Sequence, residues 1–226
     1  MPDIAIPIVF PDYLIAVDIP KQTFKIPDLI PGMNILPDKI VVPKSKNQVP
    51  ELGHAGILFI NGKTGTTKYY EYGRYSSDFG NVRKLSIRDV KIGSDGHPTK
   101  PSLTYTLSQI SAKSGHGGRI SAAYIEVPGK FQAMLDYCIK RAGSKATAYS
   151  IFSNSCNHFM QGTLVAAGVA VPAMIDPRPT SYIEEIRDDF KDLDYSHKTN
   201  LITIENPPAS LGSRFSNLIG QPAAIE

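Results

Sequence analysis

Runs of apolar residues in the middle of the chain predict a β-hairpin. The segment HAGILFI at residues 54–60 has the length and the branched apolar content of a buried strand. A glycine-containing turn, NGKTG, follows at residues 61–65, and TKYYEYG at residues 67–73 predicts the returning strand. A third strand is expected at residues 82–87.

Apolar residues at helical spacing predict elements that pack on these strands. We expect the following segments to be regular: helices at residues 101–113, 130–143, 157–168 and 181–193, and strands at residues 119–127 and 146–152. Ser181 and Glu184 form a capping-box pattern near the start of the last helix. The sequence therefore predicts the α+β class, with a mainly antiparallel sheet packed with helices.

Residues 1–50 differ from the rest of the chain because they contain nine of its 18 prolines. Proline lacks the N–H that a central strand donates, and it excludes long helices. We therefore predict a proline-rich N-terminal extension, residues 1–50, packed on a single domain, residues 51–205. A partly disordered arm is the alternative for the extension. Residues 206–226 are expected to form a C-terminal tail.

Composition excludes several classes of protein. Hydrophobic residues make up 42% and charged residues 20% of the chain, as in ordinary soluble globular proteins. No apolar run approaches the roughly 18 residues of a membrane span. The N-terminus lacks the basic region and cleavage site of a signal peptide, so we expect synthesis in the cytoplasm and signal-independent export. The net charge of +3 comes without a clustered basic patch, so nucleic acid is not expected as a partner.

The two cysteines argue against a disulfide framework and against a metal site. No CxxC or HExxH pattern is present, so no cofactor and no metal are expected. Cys138 lies on the apolar face of the helix predicted at residues 130–143, which indicates a buried structural thiol. A disulfide between Cys138 and Cys156 would need their Cα atoms within about 7 Å, and we do not expect it.

Cys156 lies where a polar run turns into the helix predicted at residues 157–168. Asn154 and Ser155 are both suited to cap that helix. The N–H groups and the positive dipole of a helix N-terminus favour a thiolate, and the same N–H groups can stabilise an oxyanion on a substrate carbonyl. The position therefore indicates a nucleophilic cysteine, and a small apolar filler is the alternative.

A cysteine nucleophile needs a base, and His54 is the best candidate among the five histidines. It begins an apolar strand, where a polar ring has no packing role, and Gly53 and Gly56 leave room beside it. The alternative is a structural histidine at the end of a strand, whose ring nitrogens have hydrogen-bond partners but no catalytic role. His158 is two residues from Cys156 and should point to a different helical face, so we expect it to be peripheral.

Glu71 is the candidate partner that would fix the tautomer of His54. Strand alternation places Glu71 on the face opposite Tyr70 and Tyr72. The hairpin then brings its carboxyl within reach of His54. A solvated glutamate on the outer face is the alternative, in which case Tyr69 or an asparagine would orient the ring.

Three segments together resemble a known family pattern: GHAG at residues 53–56, YEYG at residues 70–73 and NSCNHF at residues 154–159. This order, with the histidine first and the cysteine last, resembles the circularly permuted papain-like cysteine peptidases of the NlpC type. Over roughly residues 50–185, the chain also resembles bacterial antagonistic effectors of the type VI secretion system.

The resemblance implies a papain-like catalytic domain in which Cys156 attacks an amide carbonyl, His54 is general base and then acid, and Glu71 orients His54. It implies an amidase or endopeptidase that cleaves the peptide stems of bacterial peptidoglycan. It also implies an antibacterial toxin, expected to be a monomer, that acts in the periplasm of a target bacterium. A secretion-apparatus component and a cognate immunity protein are the implied protein partners.

Two other classes of function would use the same fold. The cysteine and histidine would also serve an acyltransferase, a deamidase or a protease that acts on a target outside the wall. A non-catalytic binding module would leave Cys156 inert to alkylation.

The second oxyanion donor is unassigned, because Ser155 offers no large donor before the nucleophile, and Asn154 and Asn157 are the candidates.

Overall fold

The structure is a computed structural model that describes residues 1–13, 53–75 and 79–207, together with the backbone of four short strands between residues 15 and 49. The strands are, in chain order, β1 (Ile4–Phe10), β2 (Ile15–Ala16), β3 (Gln22–Lys25), β4 (Lys39–Val42), β5 (Gln48–Val49), β6 (His54–Ile60), β7 (Thr67–Gly73), β8 (Phe79–Leu85), β9 (Ile120–Glu126), β10 (Thr147–Ala148), β11 (Lys191–Ser196) and β12 (Leu201–Glu205). The helices are α1 (Lys100–Ser114), α2 (Phe131–Ala142), α3 (Cys156–Ala166) and α4 (Pro179–Arg187).

Eight of the strands form one sheet in the order β10-β8-β7-β6-β1-β9-β11-β12. Every pairing within this sheet is antiparallel. The predicted hairpin is confirmed, since β6 pairs with β7 in a register that places Gly56 opposite Glu71. The prediction of an α+β fold with a mainly antiparallel sheet is also confirmed.

The position of β1 corrects the predicted domain boundary at residue 50. This strand is the fifth of the eight, lies between β6 and β9, and is buried along its whole length. Pro7 at its centre lies opposite Ile57 of β6, whereas the register with β9 skips Pro7. The missing N–H of Pro7 therefore interrupts only one of the two ladders. Because β1 pairs on both sides and is buried, residues 4–10 belong to the domain and not to an extension. From residue 14 to residue 52, all except the backbone of β2 to β5 lies outside the described residues.

The sheet separates two apolar cores. On one face, α2, α3 and α4 enclose a core that includes Ala5, Val9, Ile57, Phe59, Phe159, Met160 and Ile183. On the other face, α1 covers a core that includes Ile6, Ile8, Leu58, Leu103, Leu107 and Ile110. Successive residues of β1 and β6 enter the two cores in turn, as the side-chain period of two in a strand requires. The result is three layers, with α3 on the face opposite α1.

The last predicted helix begins earlier and ends sooner than its apolar spacing indicates. α4 starts at Pro179, which suits a first turn, and Arg178 is its N-cap. Ser181 and Glu184 therefore do not form a capping box. Leu193, which fits the helical period, is instead buried in β11, because that strand pairs with β9 and extends the sheet.

The strand predicted at residues 146–152 is reduced to the two residues of β10. A turn follows, and Ser150 and Asn154 close it through hydrogen bonds between their backbones, at 2.9 and 3.1 Å. The reversal leads directly from the edge of the sheet into α3. It also turns Tyr149 back toward Cys156.

None of the described helices has both the length and the apolar character needed to cross a membrane. The predicted C-terminal tail follows the edge strand β12, and residues from 208 onward lie outside the described residues.

Candidate active site

Cys156 is the first residue of α3, in the first turn where the sequence places it. Ser155 is the N-cap with an extended backbone, but its hydroxyl pairs with Nδ1 of His158 at 2.8 Å and does not cap the helix. The backbone N–H of Ala55 contacts the thiol from the start of β6. The Cys156 side chain is therefore buried at the positive end of a helix, against the strand that carries the candidate base.

His54 is the first residue of β6, and its side chain is hydrogen-bonded to Cys156. Gly53 before it has a φ of +68°, and a Cβ there would lie 3.0 Å from the carbonyl oxygen of Phe10. The sharp entry into the strand therefore requires glycine. The buried ring stacks on Phe10 with centroids 6.2 Å apart and contacts the Tyr13 ring at 5.2 Å. These two aromatic rings fix the plane of the imidazole.

Glu71 is fully buried in β7, so it is not a solvated glutamate. Its Oε2 accepts a hydrogen bond from the Tyr69 hydroxyl at 3.0 Å and lies 3.3 Å from Nε2 of His54. Arg83, its cross-strand neighbour on β8, forms an ion pair with Oε1. Because Nε2 is directed at Glu71, Nδ1 of the ring is left for Cys156.

The three groups change one another's ionisation against the effect of burial. Burial lowers the pKa of His54, but hydrogen bonds to Cys156 and Glu71 raise it to about 9. Burial raises the pKa of Glu71, but the hydrogen bond and charge of His54 lower it to about 2. Burial also opposes ionisation of Cys156, yet hydrogen bonds from His54 and Tyr149 lower the pKa of its thiol. The site thus shifts Cys156 toward the thiolate and His54 toward the imidazolium, beside an ionised Glu71.

Tyr149 is a residue of the site that the sequence pattern does not reveal. Its hydroxyl donates to Sγ of Cys156 at 3.6 Å, and its ring stacks on Tyr72 with centroids 6.0 Å apart. Burial and the charge of Cys156 raise the pKa of Tyr149, so the hydroxyl keeps its proton. Only the turn between Ser150 and Asn154 brings Tyr149 and Cys156 together, and a continuous strand would have kept them apart.

The other candidate residues lie outside the group formed by Cys156, His54, Glu71 and Tyr149. Cys138 is buried in α2, its sulfur is 3.8 Å from Oγ1 of Thr163, and burial raises its pKa to about 12. Cys138 and Cys156 are both free, so no disulfide joins them. His158 is half-buried and pairs with Ser155. Within the described residues, no group of three or more His, Cys, Asp or Glu side chains is placed to hold a metal ion.

Gly56 makes room for the hydrogen bond between Tyr69 and Glu71. Tyr69 crosses over Gly56 from the neighbouring strand, and a Cβ at residue 56 would overlap its hydroxyl. We expect Gly56→Ala to displace Tyr69 and to lower the free energy of unfolding by about 1–3 kcal/mol, measured by chemical denaturation. Gly143→Ala is the control, since Gly143 has a helical backbone and a Cβ there would be 3.6 Å from its nearest neighbour. Equal stability of Gly56→Ala and the wild type would contradict this explanation.

The fold and the site define an α+β protein in which a cysteine, a histidine and a glutamate meet beside an antiparallel sheet. A family model described as type VI secretion system effector TseH-like matches residues 5–171, and the chain belongs to this family. The crystal structure of the type VI secretion system effector TseH is similar to this chain, with a TM-score of 0.70 and 34% sequence identity. The similarity covers 91% of this chain and 98% of that chain. No match was found among curated proteins.

The family match begins inside β1, which agrees with the place of this strand in the domain. The resemblance to type VI secretion effectors is confirmed. The finer assignment to circularly permuted papain-like enzymes of the NlpC type stays a prediction.

Proposed function

We propose that this effector is a cysteine hydrolase, an amidase or endopeptidase that cleaves the peptide stems of bacterial peptidoglycan. The observation that carries the proposal is the buried series in which His54 lies between Cys156, at the N-terminus of α3, and Glu71 of β7. Catalysis by a thiolate needs these parts: an ionised sulfur, a group that moves a proton, and a group that orients it. The order along the chain, with the histidine before the cysteine, further supports a circularly permuted papain-like domain of the NlpC type.

In the proposed reaction, the thiolate of Cys156 attacks the amide carbonyl, and a thioester remains after the amine leaves. His54 is protonated in the resting enzyme and gives its proton to the leaving amine. Neutral His54 then takes a proton from water, which attacks the thioester and releases the acid. Glu71 accepts a hydrogen bond from Nε2 throughout and keeps Nδ1 directed at the reacting atoms.

Tyr149 is the second oxyanion donor in this proposal. The backbone N–H of Cys156 at the helix start is the first donor. The side-chain amides of Asn154 and Asn157 are engaged with the protein's own oxygens at 2.7 and 3.0 Å, so neither fits the role. The Tyr149 hydroxyl is 3.6 Å from Sγ and protonated, and it therefore lies beside the carbonyl that the sulfur attacks.

Membership of a type VI secretion effector family supports delivery by the secretion apparatus into a competing bacterium. We propose that the protein acts in the periplasm of that target, where peptidoglycan lies. A component of the apparatus and an immunity protein that protects the producing cell are the proposed protein partners. Stem peptides are anionic, and the net charge of +3 assists their binding.

Digestion of purified sacculi, with the products identified by mass spectrometry, tests this proposal. We expect the wild type to release stem-peptide fragments. The rate should fall as the pH rises through about 9, because neutral His54 cannot protonate the leaving amine.

The site of toxicity discriminates between the wall substrate and the alternatives. Expression directed to the periplasm should lyse cells, and cytoplasmic expression should not. Toxicity from the cytoplasm together with undigested sacculi would overturn the wall substrate and favour an acyltransferase, a deamidase or a protease.

A further inference from the structure

The two carboxylate oxygens of Glu71 have separate partners. Oε2 serves the site, since it lies 3.3 Å from Nε2 of His54 and accepts a hydrogen bond from Tyr69 at 3.0 Å. Oε1 accepts hydrogen bonds from the guanidinium of Arg83 through Nε and Nη2. Arg83 therefore neutralises Glu71 from the side that His54 does not use.

Arg83 is held in place from three directions. It lies opposite Glu71 in the register of β7 and β8. Its Nη2 donates to Oγ of Ser114, at the end of α1, at 3.2 Å, and its guanidinium lies over the Tyr75 ring, 4.6 Å from the centroid. These contacts pre-organise the planar group so that two of its nitrogens, Nε and Nη2, meet the single oxygen Oε1. None of them involves His54, so the ion pair does not depend on the protonation of the histidine.

His54 cannot be the constant counter-ion of Glu71. In the proposed cycle it is positively charged in the resting enzyme and neutral after the amine has left. A buried carboxylate without a compensating charge takes up a proton, and Oε2 would then be a poorer acceptor for Nε2–H.

We propose that Arg83 is a positioning residue that keeps Glu71 ionised while His54 is neutral, so that Oε2 orients the ring through the whole cycle. This inference deepens the proposed function and rests on Cys156, His54 and Glu71 being the working site.

The charges around Glu71 determine the direction of the expected effect. Among the described residues, the titratable and charged groups that face this carboxylate or its histidine are Tyr13, His54, Tyr69, Tyr75, Arg83 and Cys156. Of these groups, only Arg83 is cationic at every working pH. If Glu71 stays ionised after Arg83 is removed, the surroundings of the thiol become more negative. If Glu71 takes up a proton, the imidazolium loses its partner. Both changes raise the pKa of the thiol, so the thiolate forms at higher pH.

The pH dependence of Cys156 alkylation by iodoacetamide, followed on the Cys156 peptide, tests this role without a substrate. In Arg83→Gln the midpoint of the profile should move upward by about half a pH unit or more, and the rate near pH 6 should fall at least about threefold. In Arg83→Lys the midpoint should stay close to that of the wild type, because lysine keeps the charge. Arg83→Met is a second neutral variant in case the glutamine variant does not fold. Arg88→Gln is the matched control, since Arg88 also lies over a tyrosine ring, Tyr105, at 5.3 Å, and should leave the profile unchanged.

A double-mutant cycle separates an effect through Glu71 from a direct effect on the thiol. In the Glu71→Gln background, Arg83→Gln should add little further shift. An equal shift in both backgrounds, or an unshifted profile in a folded neutral variant, overturns the proposal. A shift that is lost in the Glu71→Gln background while sacculi stay intact supports the role of Arg83 and removes only the wall substrate.

Discussion

Cys156→Ala should abolish the digestion of sacculi and leave the fold intact. Without the nucleophile there is no covalent step, so the rate should fall by at least about 10⁴-fold, to background. Removal of one sulfur at a helix N-terminus should change the free energy of unfolding by no more than about 1 kcal/mol. Digestion and chemical denaturation of the same preparation measure the two quantities.

Cys138→Ala is the matched control, because it removes the other buried thiol. Cys138 lies in the core between α2 and α3, and burial raises its pKa to about 12. Its truncation should leave a cavity and lower stability by about 1–2 kcal/mol, while hydrolysis is retained. Digestion at the wild-type rate by Cys156→Ala would show that Cys156 is not the nucleophile. No digestion by the wild type, together with a Cys156 that is inert to alkylation, would instead identify a non-catalytic module with this fold.

The elements that carry the site were predictable because each has a local signal. β6 and β7 are apolar runs around a glycine turn, and α3 has a polar cap, an apolar stripe and a glycine after its end. β1 has no such signal, because a proline such as Pro7 is typical of an edge strand and predicts no central position. Its central place comes from pairing with β6 and β9, which lie far along the chain. The apolar residues after α4 misled the helix prediction for a similar reason, since pairing with β9 makes them a strand.

The same contrast, between local sequence signals and placement by distant pairing, applies to the residues of the site. Cys156, His54 and Glu71 could be named from a helix start, a strand start and strand alternation. Arg83 could not, because its contact with Glu71 depends on the register of β8, which begins three residues before the predicted strand at residue 82. Tyr149 depends on a turn that interrupts the expected strand. Residues that reach a site through register or through irregular turns leave little trace in local sequence patterns.

His54→Gln should remove the positively charged counter-ion of the Cys156 thiolate. In the wild type, burial opposes ionisation, and the hydrogen bond and charge of His54 lower the pKa of the thiol. Without the imidazolium, burial prevails and the pKa of Cys156 should rise above the ordinary value of about 8.5. We expect alkylation of Cys156 at about pH 7 to become about 100-fold slower, because each unit of pKa changes the thiolate fraction about tenfold. Digestion of sacculi should fall to background, since no group remains to protonate the leaving amine.

His158→Gln is the control that tests whether the base is defined by its contacts with Cys156 and Glu71 or only by its nearness to Cys156 along the chain. His158 is nearer to Cys156 along the chain, but its Nδ1 pairs with the Ser155 hydroxyl, and burial lowers its pKa, so the ring is neutral at neutral pH. A neutral ring supplies no charge to the thiolate, so alkylation and digestion should both stay within about threefold of the wild type. A loss as large as that of His54→Gln would transfer the role of the base to His158. In that case the contact between His54 and Glu71 would be structural, because the ring that Glu71 orients would not be the ring that moves the proton.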